Sequence, residues 1–182
     1  MHELGRLTDL EIVDGSIAER AVAIADGIWG GIQAHAVVDD PRNASKSILA
    51  YEVDGYGGRA LMDDANAPSL LSLPLLCPRT MPQMLHLYKN TRNFVLSEET
   101  NPTFFAGKAA AGVGSPHTGP NAIWPLALIT EAMTAEDDDA AMLARLDVIK
   151  QSAAGTRMMV SLESVRAPTH HVRYTLEQER EC

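Results

Sequence analysis

The chain has 182 residues, 46% of them hydrophobic and 5% aromatic, with a net charge of −9 and a pI near 5.0. That length is enough for one domain with its own core. The acidic balance, with no cluster of Lys and Arg, excludes nucleic acid and an anionic membrane surface as partners, because both need concentrated positive charge.

In chain order, residues 14–38 are predicted as a helix. Ile17, Ala21, Ile24, Ala25, Ile28 and Ile32 recur at helical spacing, and Ser16 with Glu19 matches a capping box. Gly27, Gly30 and Gly31 predict a kink or an end near Gly30. Residues 47–53 are short and mixed, and the glycines of 51–58 mark a structured loop. Residues 63–76 begin polar and turn apolar, as a short buried helix would, with Pro74 near its end. A proline-containing loop at 77–84 leads to a helix at 85–96, with Leu87, Phe94 and Val95 inward. Residues 97–121 form a long loop rich in Gly, Pro and Thr, and loops of that length are usually functional or disordered. A strongly apolar helix follows at 123–133, with Pro125 tolerated in its first turn. Thr134 and Asp137 cap a further helix to about Ala153, with Met142, Leu143, Leu146 and Ile149 as its buried stripe.

No strand series and no βαβ rhythm is evident, so the expected fold is all-α, built of helical hairpins packed side by side. Residues 1–156 make up this helical domain. Residues 157–182 lose the apolar period and are expected to be a divergent, frayed or disordered tail. The N-terminal Met-His-Glu-Leu-Gly-Arg has no apolar core, so no signal peptide is expected, and no apolar run is long enough to span a bilayer. The compartment stays open. Cys77 and Cys182 lack metal-ligand spacing.

The chemistry-bearing residues gather in three segments: Tyr-Glu-Val-Asp-Gly-Tyr-Gly at 51–57, Met-Asp-Asp-Ala-Asn at 62–66, and Gly-Val-Gly-Ser-Pro-His-Thr-Gly at 112–119 followed by Trp124. Carboxylates, amides and hydroxyls bind sugar hydroxyls in pairs, and aromatic faces cover the C–H side. Each feature has a plainer reading beside it. Asp63 and Asp64 suit the start of a helix, where they would complement its dipole. Asp54 with Gly55 is a common turn pair. Trp124 opens an apolar helix and suits a core. The acidic run at 136–139 suits a solvated helix start. A dinucleotide fingerprint, a phosphate loop and a serine-hydrolase elbow are all absent, and Asp63, Asp64 and His117 do not have diagnostic metal-ligand spacing.

Taken together, the blocks Ala-Tyr-Glu-Val-Asp-Gly-Tyr-Gly-Gly at 50–58, Leu-Met-Asp-Asp-Ala-Asn-Ala-Pro-Ser-Leu-Leu-Ser-Leu-Pro at 61–74, Tyr-Lys-Asn-Thr-Arg at 88–92, Phe-Ala-Gly-Lys-Ala at 105–109, Gly-Ser-Pro-His-Thr at 114–118 and Ile-Trp-Pro-Leu-Ala at 123–127 are similar, in this order, to glycoside hydrolase family 125. The likeness covers roughly residues 17–154 and is to the C-terminal portion of that family. It implies part of an (α/α)6 barrel and hydrolysis of terminal, non-reducing α-1,6-linked mannose with inversion. It also implies no metal or other cofactor, and a mannose-containing oligosaccharide as partner. Inversion uses two carboxyl groups, roughly 6.5–9.5 Å apart. Substrate binding is expected of Asp54, Tyr56, Asp63, Asp64, Asn66, Ser115, His117, Thr118 and Trp124.

Two departures qualify it. The family's general acid lies in a Ser-Asp-Asp motif upstream of the 51–56 block, and no such motif occurs here. The general base lies in a Met-His-Glu-Ser motif, where this chain reads Met-Met-Val-Ser-Leu-Glu-Ser-Val at 158–165, aligning Glu163 with the base. An impaired mannosidase is the resulting expectation. The alternative is a non-catalytic remnant that binds mannosides weakly or associates with a fuller copy through helix faces left exposed by an incomplete toroid.

Overall fold

Helices and short antiparallel hairpins alternate along the chain in the computed structural model, which describes residues 2–78, 81–107, 110–135, 138–152 and 160–161. The helices are α1 (His2–Asp9), α2 (Gly15–Gly31), α3 (Leu73–Leu76), α4 (Met81–Val95), α5 (Pro125–Met133) and α6 (Asp139–Ser152). The strands are β1 (Val37–Asp40), β2 (Asn43–Leu49), β3 (Glu52–Val53), β4 (Arg59–Ala60), β5 (Phe104–Ala106), β6 (Ala111–Val113), β7 (Ala122–Ile123) and β8 (Val160–Ser161). They pair as four two-stranded antiparallel sheets: β1 with β2, β3 with β4, β5 with β6 and β7 with β8.

The all-α expectation, a partial (α/α)6 barrel of helical hairpins, is therefore wrong: the architecture is mixed. The strands escape a periodicity search for a physical reason. Most run for two to four residues, and β2 is exposed over its first four positions, Asn-Ala-Ser-Lys. No alternation of apolar and polar residues builds up over so short a span.

Helix α2 starts on Asp14, whose carboxylate accepts a hydrogen bond from the Ser16 amide at 2.8 Å, so Asp14 and not Ser16 is the cap. The helix stops at Gly31, near the predicted break, and passes through a π-helical turn (Ile32–Ala36) into β1. Its apolar residues have helical spacing, yet Ile17, Val22, Ile24 and Ile28 are exposed. The predicted helix at 63–76 reduces to α3, and residues 63–72 are turns held by side chains. In α6 the predicted stripe is only partly inward: Ile149 packs on a small cluster of Ala110, Ile123 and Leu128, whereas Leu143 and Leu146 are exposed. The cap of α6 is Asp138, which accepts from the Ala141 amide at 2.9 Å. Asp137, the predicted cap, lies outside the described residues, as do Glu136 and the tail at 162–182.

The main core gathers Val38, Ile48 and Leu49 of the first hairpin, Leu70 and Leu71, Met84, Phe94 and Val95 of α4, and Val113 and Ala127. Polar bonds fix α4 to β2. The Leu49 amide donates to Thr91 Oγ1 at 2.9 Å, that hydroxyl donates to the Leu87 carbonyl at 2.8 Å, and Asn90 Nδ2 donates to the Ser47 carbonyl at 3.1 Å. Arg42 pairs with Asp40 at 3.0 Å and lies over the Phe94 ring at 5.3 Å, closing the β1–β2 turn against the same helix. The hairpins β5–β6 and β3–β4 emerge from this frame and carry the segments singled out above.

Candidate functional site

The 62–66 and 112–119 segments, separated by almost fifty positions, lie side by side. The Ala65 amide donates to the Gly114 carbonyl at 3.0 Å, and the Gly114 amide donates to the Thr103 carbonyl at 2.7 Å. Asp64 and Asn66 thus flank one end of a bond whose other end is the residue before Ser115. Asp64 is 4% exposed, and its carboxylate accepts from Asn66 Nδ2 at 3.0 Å. Ser115 is 1% exposed, and its Oγ accepts from the His117 amide at 3.2 Å. The Thr118 amide donates to the Ser115 carbonyl at 3.2 Å, closing the turn. The Thr118 hydroxyl accepts from Trp124 Nε1 at 3.1 Å, and the Trp124 amide donates to the Val113 carbonyl at 3.3 Å. The indole is therefore anchored to the turn, half-buried, and is not simply a core filler. The His117 side chain is exposed.

The remaining predicted residues divide. Asp54 sits in the loop between β3 and β4 and closes it: its Oδ1 accepts from the Tyr56 amide at 2.7 Å and the Gly58 amide at 2.8 Å. These two amides hold the Asp54 carboxyl below its ordinary value. Tyr56 is 97% exposed at the loop's tip. The turn reading of Asp54 is thereby supported, and the hydrogen-bond network that joins the other two segments does not include Asp54 or Tyr56. Glu163 lies outside the described residues.

Asp63 is wholly buried, and its two carboxylate oxygens accept from the amides of Leu70 at 2.8 Å and Leu71 at 3.0 Å. It is an internal cap for the turn that leads into α3, the plainer of the two readings considered for this acidic pair. Burial pushes its carboxyl up to about 6. The Leu70, Leu71 and Asp64 amides pull the other way, and the Asp64 charge adds to the rise. Tyr51, on the strand side, is pushed above its ordinary value by burial and then by the charges of Asp64, Asp63 and Glu52. Its phenol stays protonated, a donor held near a buried carboxylate pair. The sequence places Tyr51 in the first chemistry-bearing segment but does not single it out as a site residue.

A pH dependence follows. The folded Asp63 carboxyl titrates near 6 against an ordinary value of 3.8. Folding then binds a proton between those values, so its contribution to stability is greatest below the unfolded value and falls as pH rises through about 6. The loss across that window is about 3 kcal/mol. Urea unfolding of the native chain and of Asp63→Asn from pH 4 to 7.5 should show native stability falling relative to the variant. Parallel curves would contradict it.

Residues 1–177 match the glycoside hydrolase family described as metal-independent α-mannosidases, GH125. The chain belongs to that family. The match runs beyond 17–154 on both sides. The meiotically up-regulated gene 157 protein of Schizosaccharomyces pombe is 45% identical over 161 residues, covering 86% of this chain and 30% of that protein. A solved metal-independent α-mannosidase of Streptococcus pneumoniae, a non-productive complex with α-1,6-mannobiose, is 33% identical with a TM-score of 0.77. The alignment covers 87% of this chain and 37% of that one, so the chain spans about a third of the length of both relatives.

Proposed function

We propose that the chain forms the mannose-binding face of an α-mannosidase whose substrate is terminal, non-reducing α-1,6-linked mannose, cleaved with inversion. The observation that carries this is the junction of the Asp64 and Asn66 edge with the Ser115, Thr118 and Trp124 edge through the bond between Ala65 and Gly114. A buried carboxylate and a half-buried amide on one side, with hydroxyls and an indole on the other, suit a pyranose. The linkage is supported by the disaccharide bound in the pneumococcal relative.

A second reading, a mannoside binder with little turnover, is favoured by one observation: the carboxylates of Asp54 and Asp63 are both engaged by main-chain amides. Loss of leaving-group protonation typically lowers the rate by about 10²- to 10⁴-fold. Calorimetric titration with α-1,6- and α-1,2-mannobiose separates these readings from a structural bystander. Heat with the α-1,6 isomer and weaker or no heat with the other supports the site, and no heat with either overturns it. Proton NMR of the same mixtures reads turnover: β-mannose as first product marks an inverting enzyme, and an unchanged disaccharide marks the binder.

A further inference from the structure

The two edges of the site are not in contact by default; something must hold them in register, and the responsible side chains lie outside both segments. Asn101 is wholly buried between α4 and β5. Its Oδ1 accepts from the Asp63 amide at 3.2 Å, from the Thr103 amide at 3.2 Å and from the Thr103 hydroxyl at 2.7 Å. Its Nδ2 donates to the Val95 carbonyl, the last residue of α4, at 2.8 Å. The Thr103 hydroxyl also meets the Asp63 carbonyl. The Thr103 carbonyl in turn accepts from the Gly114 amide, and the Gly114 carbonyl accepts from Ala65.

This is a closed ring of hydrogen bonds. It runs from Asn101 to the Asp63 main chain, on to Ala65, across to Gly114 and back through Thr103. Both polar groups of the Asp63 peptide frame and both of Gly114 are used in it. Neither edge can shift along the other without breaking at least one buried bond, and a buried donor or acceptor left without a partner is costly.

We propose that Asn101 and Thr103 are positioning residues of the mannose site, setting the separation of Asp64 and Asn66 from Ser115 and Thr118 although neither touches the sugar. The inference rests on the mannoside reading above. A residue that holds the geometry of two recognition edges affects affinity out of proportion to its effect on folding, since a displacement of about 1 Å is enough to spoil recognition.

The test compares substitutions that remove the same chemistry in two places. Thr103→Val keeps volume and deletes the hydroxyl, and Thr103→Ser restores it. Thr91→Val removes an equally buried hydroxyl from the junction of α4 and β2, where it bridges Leu49 and Leu87 outside the ring. Affinity for α-1,6-mannobiose is read by calorimetry and folding by urea titration on each protein. Thr103→Val is expected to weaken binding about tenfold, Thr103→Ser to recover the native affinity, and Thr91→Val to bind as the native chain does despite a similar loss of stability. Should Thr103→Val fail to fold, Thr103→Cys, whose thiol is only a weak donor, is read in its place. Native affinity in a folded Thr103→Val, or equal weakening in Thr103→Val and Thr91→Val, overturns the positioning role and leaves the mannoside reading standing. Failure of the native chain to bind at all overturns that reading and the inference with it.

Discussion

Gly114→Ala is expected to be among the most damaging single-methyl additions in this chain, costing about 3–5 kcal/mol of stability. The reason is where the methyl must go. A Cβ at Gly114 would lie 2.1 Å from the Ala122 carbonyl oxygen and 2.7 Å from the Phe105 ring. The first of these is backbone, so the clash is relieved only by moving β7, which pairs with β8 and bridges Gly114 through Ile123. That movement opens the same peptide that links Thr103 to Ala65, so mannobiose affinity should fall along with stability. Gly112 provides the graded comparison. Its added methyl would meet the Ile123 Cγ2 methyl at 2.9 Å and a Leu128 methyl at 3.0 Å, side chains rather than backbone, and the expected cost is about 1–3 kcal/mol. Gly30, inside α2 with nothing within 4 Å, should go the other way, gaining about 1 kcal/mol as alanine through helix propensity. Urea midpoints measured in that order, 114 lowest and 30 highest, would bear this out. Equal midpoints for the Gly114 and Gly112 variants would show that β7 yields freely.

The sequence and the structure agree best where local chemistry decides. The stop of α2 near Gly30, the place of Pro125 in the first turn of α5 and the apolar inner positions of α4 are legible from spacing and cap chemistry, whereas Ile123, expected to open α5, belongs to β7. So is the grouping of Met-Asp-Asp-Ala-Asn with Ser-Pro-His-Thr, from their carboxylate, amide and hydroxyl content and from the family resemblance. The individual members were harder to read. Asp63 and Asp64 are neighbours with the same side chain, yet one is spent on the Leu70 and Leu71 amides and the other faces Asn66. Nothing in the dipeptide separates them, because the separation is made by a turn seven residues downstream. Asn101 and Thr103 were lost in a loop of mixed polar residues, since a buried polar hub looks like an ordinary turn until its partners, forty positions away, are known. The short strands escape for the opposite reason: β3, β4, β7 and β8 are two residues each and form only because neighbouring segments are already in place.

The other large effect is expected at the junction of α5 and α6. Glu131 is 4% exposed and pairs with Arg145 Nε at 2.6 Å, and Arg145 Nη1 also donates to the Ala111 carbonyl of β6 at 2.9 Å. Burial pushes the Glu131 carboxyl above its ordinary value, while the charges of Arg145 and Arg92 draw it back. Arg92 reaches the same helix end through the Glu131 carbonyl at 3.0 Å and Thr134 Oγ1 at 2.8 Å, but it does not bond the carboxylate. Arg145→Ala therefore strands a buried carboxylate and should cost about 3–5 kcal/mol at pH 8. Glu131→Gln leaves Arg145 partly hydrated and still facing an amide oxygen, so the loss should be smaller, about 1–2 kcal/mol. Replacing both, as Glu131→Leu with Arg145→Met, should recover most of the difference, since an apolar pair of similar volume requires no desolvation of charge. The sign with pH is fixed by the same argument. In Arg145→Ala the folded carboxyl titrates higher still, so its stability is retained below the ordinary carboxylate value and lost as pH rises through the raised one. Its deficit against the native chain should widen from pH 5 to pH 8. A deficit independent of pH would mean that Arg145 acts through Ala111 and packing, and that the ion pair contributes little.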